Sequence, residues 1–331
     1  MRYVKLPNTD ITVSVVAMGC WALSGDNTWG PQDEQDSVAA VHAALDQGVT
    51  FFDTAELYGD GLSEQVLGKA LKGRRHSVVV ASKFNCEHSR REEIRQACER
   101  SLTRLQTDYL DLYQIHWRNR EVPLEETWET LQELKQEGKV RAVGVCNFGP
   151  NDLNDLLKLG RPVTNQLPYS LLFRAIEFEI VPKCKAEGIG ILCYSPLAIG
   201  LLTGKFRSPD DVPPGRARTR HFSSSRKLTR HGEPGCEKET WEAMAEIERT
   251  ADELGCSVVQ LALAWLLHRP GVTSVLAGIR NAEQAEANAQ AAELELAPSV
   301  LERLDHATAK LKQVLGPNPD MWETAERSRF R

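Results

Sequence analysis

Short apolar runs alternate with longer amphipathic stretches over most of the chain. The runs are SVVAMG (14–19), VTFFD (49–53), SVVVASK (77–83), YLDLYQIH (109–116), VRAVGVCN (140–147), PVTNQ (162–166), IGILCYS (189–195) and VTSVLAG (272–278), rich in valine, isoleucine and leucine. Between them lie helical patterns such as DEQDSVAAVHAALDQG (33–48), with acidic residues in its opening turn and a stop at Gly48, and REEIRQACERSLTRLQ (91–106). A strand followed by a helix, repeated eight times, predicts parallel strands. Two α/β architectures satisfy that alternation: an open doubly wound sheet and a closed (β/α)8 barrel of the TIM type. A dinucleotide-binding open sheet carries G-x-G-x-x-G after its first strand; here GCWALSGDNTWGPQ (19–32) spaces its glycines differently, which favours the barrel. RYVKL and ITVSV around the turn PNTD predict an N-terminal hairpin that plugs one end. One segment breaks the rhythm: 200–236, after the seventh strand, is rich in Pro, Gly, Ser and Arg and without period. A loop this long is read as a lid or binding loop, against the plainer alternative of a solvated insertion.

Composition narrows the class. A chain of 331 residues suits one large barrel or two smaller domains, and the unbroken alternation favours a single domain over 1–331, with 314–331 as a C-terminal tail. Hydrophobic residues at 41% and charged residues at 26% match an ordinary globular chain rather than a disordered or membrane one. The opening MRYVKLPNTD lacks the run of roughly 7 to 15 apolar residues of a secretory signal, so a cytoplasmic location is expected. Eight cysteines at irregular spacing, with no C-x-x-C pair, read as reduced thiols and argue against a zinc site. A net charge of −6 gives no overall attraction for polyphosphate; neither nucleic acid nor membrane is an expected partner, and any anion site must be local.

In a barrel of this kind the loops at the C-terminal ends of the strands converge over one pocket. The second strand ends at Asp53, the third at Lys83 and the fourth at His116, and Tyr58 follows in the loop after the second. Taken singly, each has an ordinary reading: a capping aspartate, a packed ring, a solvated lysine, a core histidine. Together on adjacent strands they suit reversible proton donation to a carbonyl oxygen, with Tyr58 as the donor. A free phenol ionises at about pH 10, and bringing it near 7 means favouring phenolate by about 4 kcal/mol. A lysine cation about 4 Å away supplies roughly that much at an effective dielectric of about 20. The expectation is a Tyr58 phenol made acidic by Lys83, with Asp53 holding the lysine charged and oriented and His116 adding a hydrogen bond toward the same oxygen.

These motifs carry a resemblance to the aldo-keto reductase family. FFDTAELYGDGLSEQVLGKAL resembles the family's stretch bearing aspartate and tyrosine, SVVVASKF that bearing lysine, and DYLDLYQIHW that bearing histidine. GKVRAVGVCNF and LCYSPLAIGLLTGK resemble its fifth and seventh strand regions, and the likeness runs from about residue 1 to 312. The most similar branch contains bacterial general-stress and sugar-related reductases and the potassium-channel β-subunits. The resemblance implies a nicotinamide cofactor, which supplies the hydride no side chain can give. It implies that Asn147 and Gln166 hold the carboxamide and that Tyr194 stacks on the ring, with Gly19, Trp21 and Asp53 beside them; Cys146 stands where the family commonly has serine. Ser195, Pro196, Leu197, Gly200 and Lys205 are expected to wrap the pyrophosphate, with Arg216 or Arg218 closing the clamp. Gly278, Arg280, Gln284 and Asn288 match positions at the adenosine end, where a helix start favours an anion. Arg280 suits a 2′-phosphate, so NADP (NADPH) is expected in preference to NAD; Ala287 replaces a glutamate common near the adenine.

Trp21, Trp29, Phe84 and Trp117 are expected to form an apolar wall around the carbonyl substrate. Trp322 is considered for the mouth, but the tail is expected to cross the barrel surface instead. The implied activity is an NADP-dependent oxidoreductase of aldehyde, ketone or sugar carbonyls, working as a monomer or homo-oligomer. Two other classes stand beside it: a nicotinamide-sensing binding module with slow residual chemistry, and a barrel hydrolase or isomerase that binds no NADPH.

Overall fold

The eight apolar runs form the staves of a closed barrel. A computed structural model describes residues 1–26 and 28–331. An antiparallel hairpin, β1 (Tyr3–Lys5) and β2 (Thr12–Ser14), precedes β3 (Val16–Gly19), β4 (Phe51–Asp53), β5 (Val79–Phe84), β6 (Leu110–Ile115), β7 (Val140–Cys146), β8 (Thr164–Pro168), β9 (Gly190–Tyr194) and β10 (Val272–Gly278). β3 to β10 pair in parallel in chain order, and β10 closes on β3. Helices lie between successive strands, and no single helix among the described residues is long and apolar enough to cross a membrane.

Both faces of this sheet are buried, which is why its strands read as nearly continuous apolar runs. Ala17, Phe51, Ala81, Leu112, Ala142 and Leu192 form one apolar cluster in the lumen, joined by Leu6, Ile11 and Val13 of the hairpin. Their neighbours Met18, Phe52, Val80, Tyr113, Val143 and Ile191 belong instead to the cluster shared with the helices. The hairpin plugs the end where the strands begin: Tyr3 donates to the Gly48 carbonyl just before β4, and Pro7 packs beside Gly190 at the start of β9.

Toward the other end the lumen turns polar without a change of register. Successive side chains of a strand point to opposite faces. Phe51 inward therefore puts Asp53 inward, Ala81 does the same for Lys83, and Leu112 for Gln114. Cα pairing sets Asp53 beside Ala81 and Lys83 beside Gln114.

The segment after β9 is not a loose insertion. Phe206, Val212, Ala217 and Phe222 pack into the main core. The nearly buried Arg220 pairs with Glu233 at 2.9 Å and donates to the carbonyls of Asn318 and Leu315, tying the segment to the tail.

Candidate active site

Asp53 lies at the hub of a buried polar network at the C-terminal mouth. Lys83 Nζ donates to Asp53 Oδ1 at 2.6 Å, to the Thr54 carbonyl at 2.7 Å and to the Tyr58 phenol oxygen at 3.3 Å. The other carboxylate oxygen, Oδ2, accepts from Gln166 at 2.8 Å and Gln114 at 3.3 Å. Lys83 is fully buried and Asp53 is 2% exposed. The turn 56–61 carries Tyr58 back over the lysine, where its ring lies against Trp21, with 6.0 Å between centroids. His116, one residue past β6, meets the Tyr58 ring edge to face at 5.9 Å. No hydrogen bond joins the two among the described residues; both line one cavity of about 850 Å³. The imidazole thus packs on the phenol ring and shares its cavity without bonding its hydroxyl.

The charges differ in one respect from the sequence-based expectation. Burial works against the Lys83 cation, but Asp53 and then Tyr58 outweigh it and hold the ammonium above the ordinary lysine range. Tyr58 is not acidified toward neutrality. Burial, only partly opposed by Lys83 and reinforced by Asp53, pushes its phenol up to about 12. The lysine charge is shared with a carboxylate closer to it than the phenol is, so one cation does not offset desolvation. His116 is held well below the ordinary histidine range by burial and then by the Lys83 and Arg329 cations, and is neutral near pH 7.

The cavity gathers all the residues expected of a cofactor site. Gly19, Trp21, Asp53, Asn147, Gln166 and Tyr194 line it beside the reaction centre, and Ser195, Pro196, Leu197, Gly200 and Lys205 line it after β9. Gly278, Arg280, Gln284 and Asn288 line it after β10, with Ala287 among them. Tyr194 donates to Asn147 Oδ1 at 3.0 Å and Asn147 Nδ2 donates to the His116 carbonyl at 3.0 Å, which locks the asparagine in a left-handed conformation (φ 64°). Gln166 keeps Oε1 free of any described partner.

The backbone after β9 is also unusual. Ser195, Ala198 and Ile199 have φ of 50°, 48° and 52°, followed by Gly200 at 94°. Such a concentration of left-handed residues is costly and folds the segment into a tight turn at the cavity wall, with the Ala198 and Gly200 N–H groups donating to the Ser195 and Leu197 carbonyls. Arg216 and Arg218 both line the cavity; Arg216 donates to the Thr28 carbonyl at 3.1 Å and Arg218 to the Thr28 hydroxyl at 3.3 Å. Arg280 donates to the carbonyls of Trp29 and Pro31 and to Gln32 Oε1 at 2.8, 2.6 and 2.6 Å. Residues 28–32 therefore strap across the cleft between the two arginine groups. In size and donor set, the cavity fits a phosphorylated dinucleotide.

Two expectations need correction. Phe84 is not a pocket wall: with Lys83 inward, strand alternation turns Phe84 outward, where it is fully buried against Tyr113 at 5.5 Å. Trp21, Trp29 and Trp117 do line the cavity. The tail does not merely cross the barrel surface, because Trp322 and Arg329 line the cavity too, and Trp322 lies nearly parallel to Tyr194 with centroids 6.3 Å apart. Gln114 was also missed, although it lies two residues before His116 in the predicted run 109–116, which assigns both to the same face.

Comparison with known proteins finds relatives along most of the chain. The sequence profile of the Aldo/keto reductase family matches residues 15–309. The chain is 37% identical over 302 residues to aldo-keto reductase YhdN of Bacillus subtilis (strain 168), covering 87% of each chain. It is 34% identical over 320 residues to the NADH-specific methylglyoxal reductase of Escherichia coli (strain K12), covering 89% of this chain and 95% of that one. A crystal structure of an aldo-keto reductase from Klebsiella pneumoniae in complex with NADPH superposes with a TM-score of 0.71 at 32% identity, covering 93% of each chain.

Proposed function

The chain belongs to the aldo/keto reductase family, and from that premise we propose that it is an NADP-preferring cytoplasmic reductase of aldehyde, ketone or sugar carbonyls, reversible to alcohol oxidation, with Tyr58 as general acid and base. The observation that carries the reading is the 3.3 Å approach of the Lys83 ammonium to the Tyr58 phenol, at a cavity wall shared with His116. A bound nicotinamide supplies the hydride. Tyr58 releases its proton to the carbonyl oxygen as negative charge develops there, and Lys83 stabilises the phenolate that remains. Asp53 keeps the lysine charged and aimed, with Gln114 and Gln166 fixing the carboxylate in turn. His116, neutral, offers a hydrogen bond to the same oxygen without adding charge. Gln166 Oε1 and Asn147 are the groups available to a carboxamide, and Tyr194 to the face of its ring.

The preference for NADP rests on Arg280 and on the pair Arg216 and Arg218, since the relatives themselves differ: one is named NADH-specific and one is described with NADPH. Consumption of NADPH and NADH across a panel of aldehydes, ketones and sugars tests the reading. Carbonyl-dependent oxidation, faster with NADPH, is expected; no carbonyl-dependent oxidation of either would end it. A second reading, a nicotinamide-sensing module with slow turnover, draws support from the strap of residues 28–32 bonded to Arg280 and Arg216. A single-turnover rate far above the steady-state rate would favour it.

A further inference from the structure

The tail brings to the cavity a cation that the carbonyl chemistry above does not use. Arg329 lines the space together with Tyr58, His116 and Trp117. Its guanidinium lies over the Trp117 ring, 3.7 Å from the centroid, with the Trp322 ring 5.7 Å away. Nε and Nη2 donate to Asp320 at 2.8 and 2.9 Å, and that carboxylate is fully buried. Nη1 makes no hydrogen bond with any described residue, and the side chain is 35% exposed.

Its own carbonyl and the two residues after it are pinned as well. Arg120 donates to the Arg329 carbonyl at 3.2 Å. Phe330 packs edge-on against Trp117 at 5.5 Å. The Arg331 N–H donates to Asp152 at 3.1 Å, and its carbonyl accepts from the Asp152 N–H at 2.9 Å. A guanidinium held along one edge by a buried carboxylate and across its face by an indole loses little freedom on binding. The N–H groups left over form a donor edge that matches a planar carboxylate.

We propose that Arg329 is a specificity-determining residue that receives a carboxylate carried by the substrate, so that the protein takes carbonyl acids in preference to their neutral counterparts. The inference rests on the carbonyl-reductase reading and narrows its substrate class. The charges nearby permit it. Asp53, the carboxylate at the reaction centre, is matched by Lys83 at 2.6 Å, and Asp320 is already paired with the guanidinium itself. The carboxylate would be seated on Arg329 while its carbonyl reaches Tyr58 and His116 in the same cavity.

Kinetics with 4-carboxybenzaldehyde and benzaldehyde separate the charge from the carbonyl. Loss of one charge-assisted contact in Arg329→Met lowers the ratio of kcat/KM for the two aldehydes, acid over neutral, by about tenfold or more, chiefly through KM for the acid. Should that variant fold poorly with Asp320 stranded, the double variant Arg329→Met/Asp320→Asn removes both charges together and shows the same drop. A ratio within about twofold of the original in a folded variant overturns the inference. Benzoate affinity, followed through tryptophan fluorescence, keeps the two readings apart. If neither aldehyde is reduced with either nicotinamide, the reductase reading falls, while benzoate binding about tenfold weaker in the variant still sustains the carboxylate site. Equal benzoate affinity in both proteins overturns it.

Discussion

Lys83 is fully buried, and its ammonium lies closer to Asp53, at 2.6 Å, than to the Tyr58 phenol, at 3.3 Å. The order of those distances means that the carboxylate holds the charge in place and the phenol draws on it secondarily. Removing the cation strands a carboxylate that is 2% exposed. Lys83→Met is expected to cost about 3–5 kcal/mol of stability as well as turnover. Urea denaturation of that variant, beside Lys83→Met/Asp53→Asn, checks this: the double variant recovers stability but not activity.

The pH dependence follows from a phenol pushed up to about 12 and an imidazole held low. Across the neutral range Tyr58 carries the proton that reduction needs and His116 is uncharged. The kcat/KM for carbonyl reduction is therefore expected to be flat from about pH 6.5 to 9. Alcohol oxidation needs the phenolate, so its rate is expected to climb about tenfold per pH unit over the same range. Parallel pH profiles in the two directions measure this.

His221, in the segment after β9, links that segment to acid stability. It is 1% exposed, with its ring nitrogens bonded to Thr219 and the Leu172 carbonyl. Burial, with smaller repulsion from Arg220 and His231, holds it to about 4, against 6.5 for an ordinary histidine. Below the ordinary value the unfolded chain takes up a proton that the folded one refuses. The stability His221 lends is complete above about pH 6.5 and declines toward pH 4, by on the order of 3 kcal/mol. Thermal melts are expected to show a shallower fall between those pH values in His221→Gln than in the original protein.

Gly149 allows the tail to dock, since a β-carbon there would overlap the Arg331 backbone. Gly149→Ala is expected to loosen the last residues of the tail, 329–331, without touching Asp53, Tyr58 or Lys83. Hydrogen exchange should show faster labelling confined to the tail and its contacts around Trp117.

Phe84 separates what was legible in the sequence from what was not. The barrel could be read because each strand is a buried run of its own, and the grouping of Asp53, Lys83, His116 and Tyr58 because three of them end such runs and the fourth follows in the loop after one. The fate of Phe84 was equally available, since Lys83 beside it already claims the inner face; its place near the mouth suggested a pocket aromatic where alternation required a core one. The state of Tyr58 was not available, because how deeply a phenol is buried depends on packing across the mouth and not on its neighbours in the chain. Arg329 left no local trace either. Its contacts with Trp117 and Asp320 depend on a tail returning to the barrel, and no period or motif announces that return.

The most direct measurement is the single-turnover rate of NADPH oxidation by Tyr58→Phe with a saturating aldehyde, in protein shown by fluorescence titration to bind NADPH normally. A proton donor of this kind contributes about 100- to 10,000-fold, so hydride transfer is expected to fall by that factor with cofactor affinity preserved. A rate within a few-fold of the original would contradict the role of Tyr58, and with it the reading of the Lys83–Asp53 pair as its support.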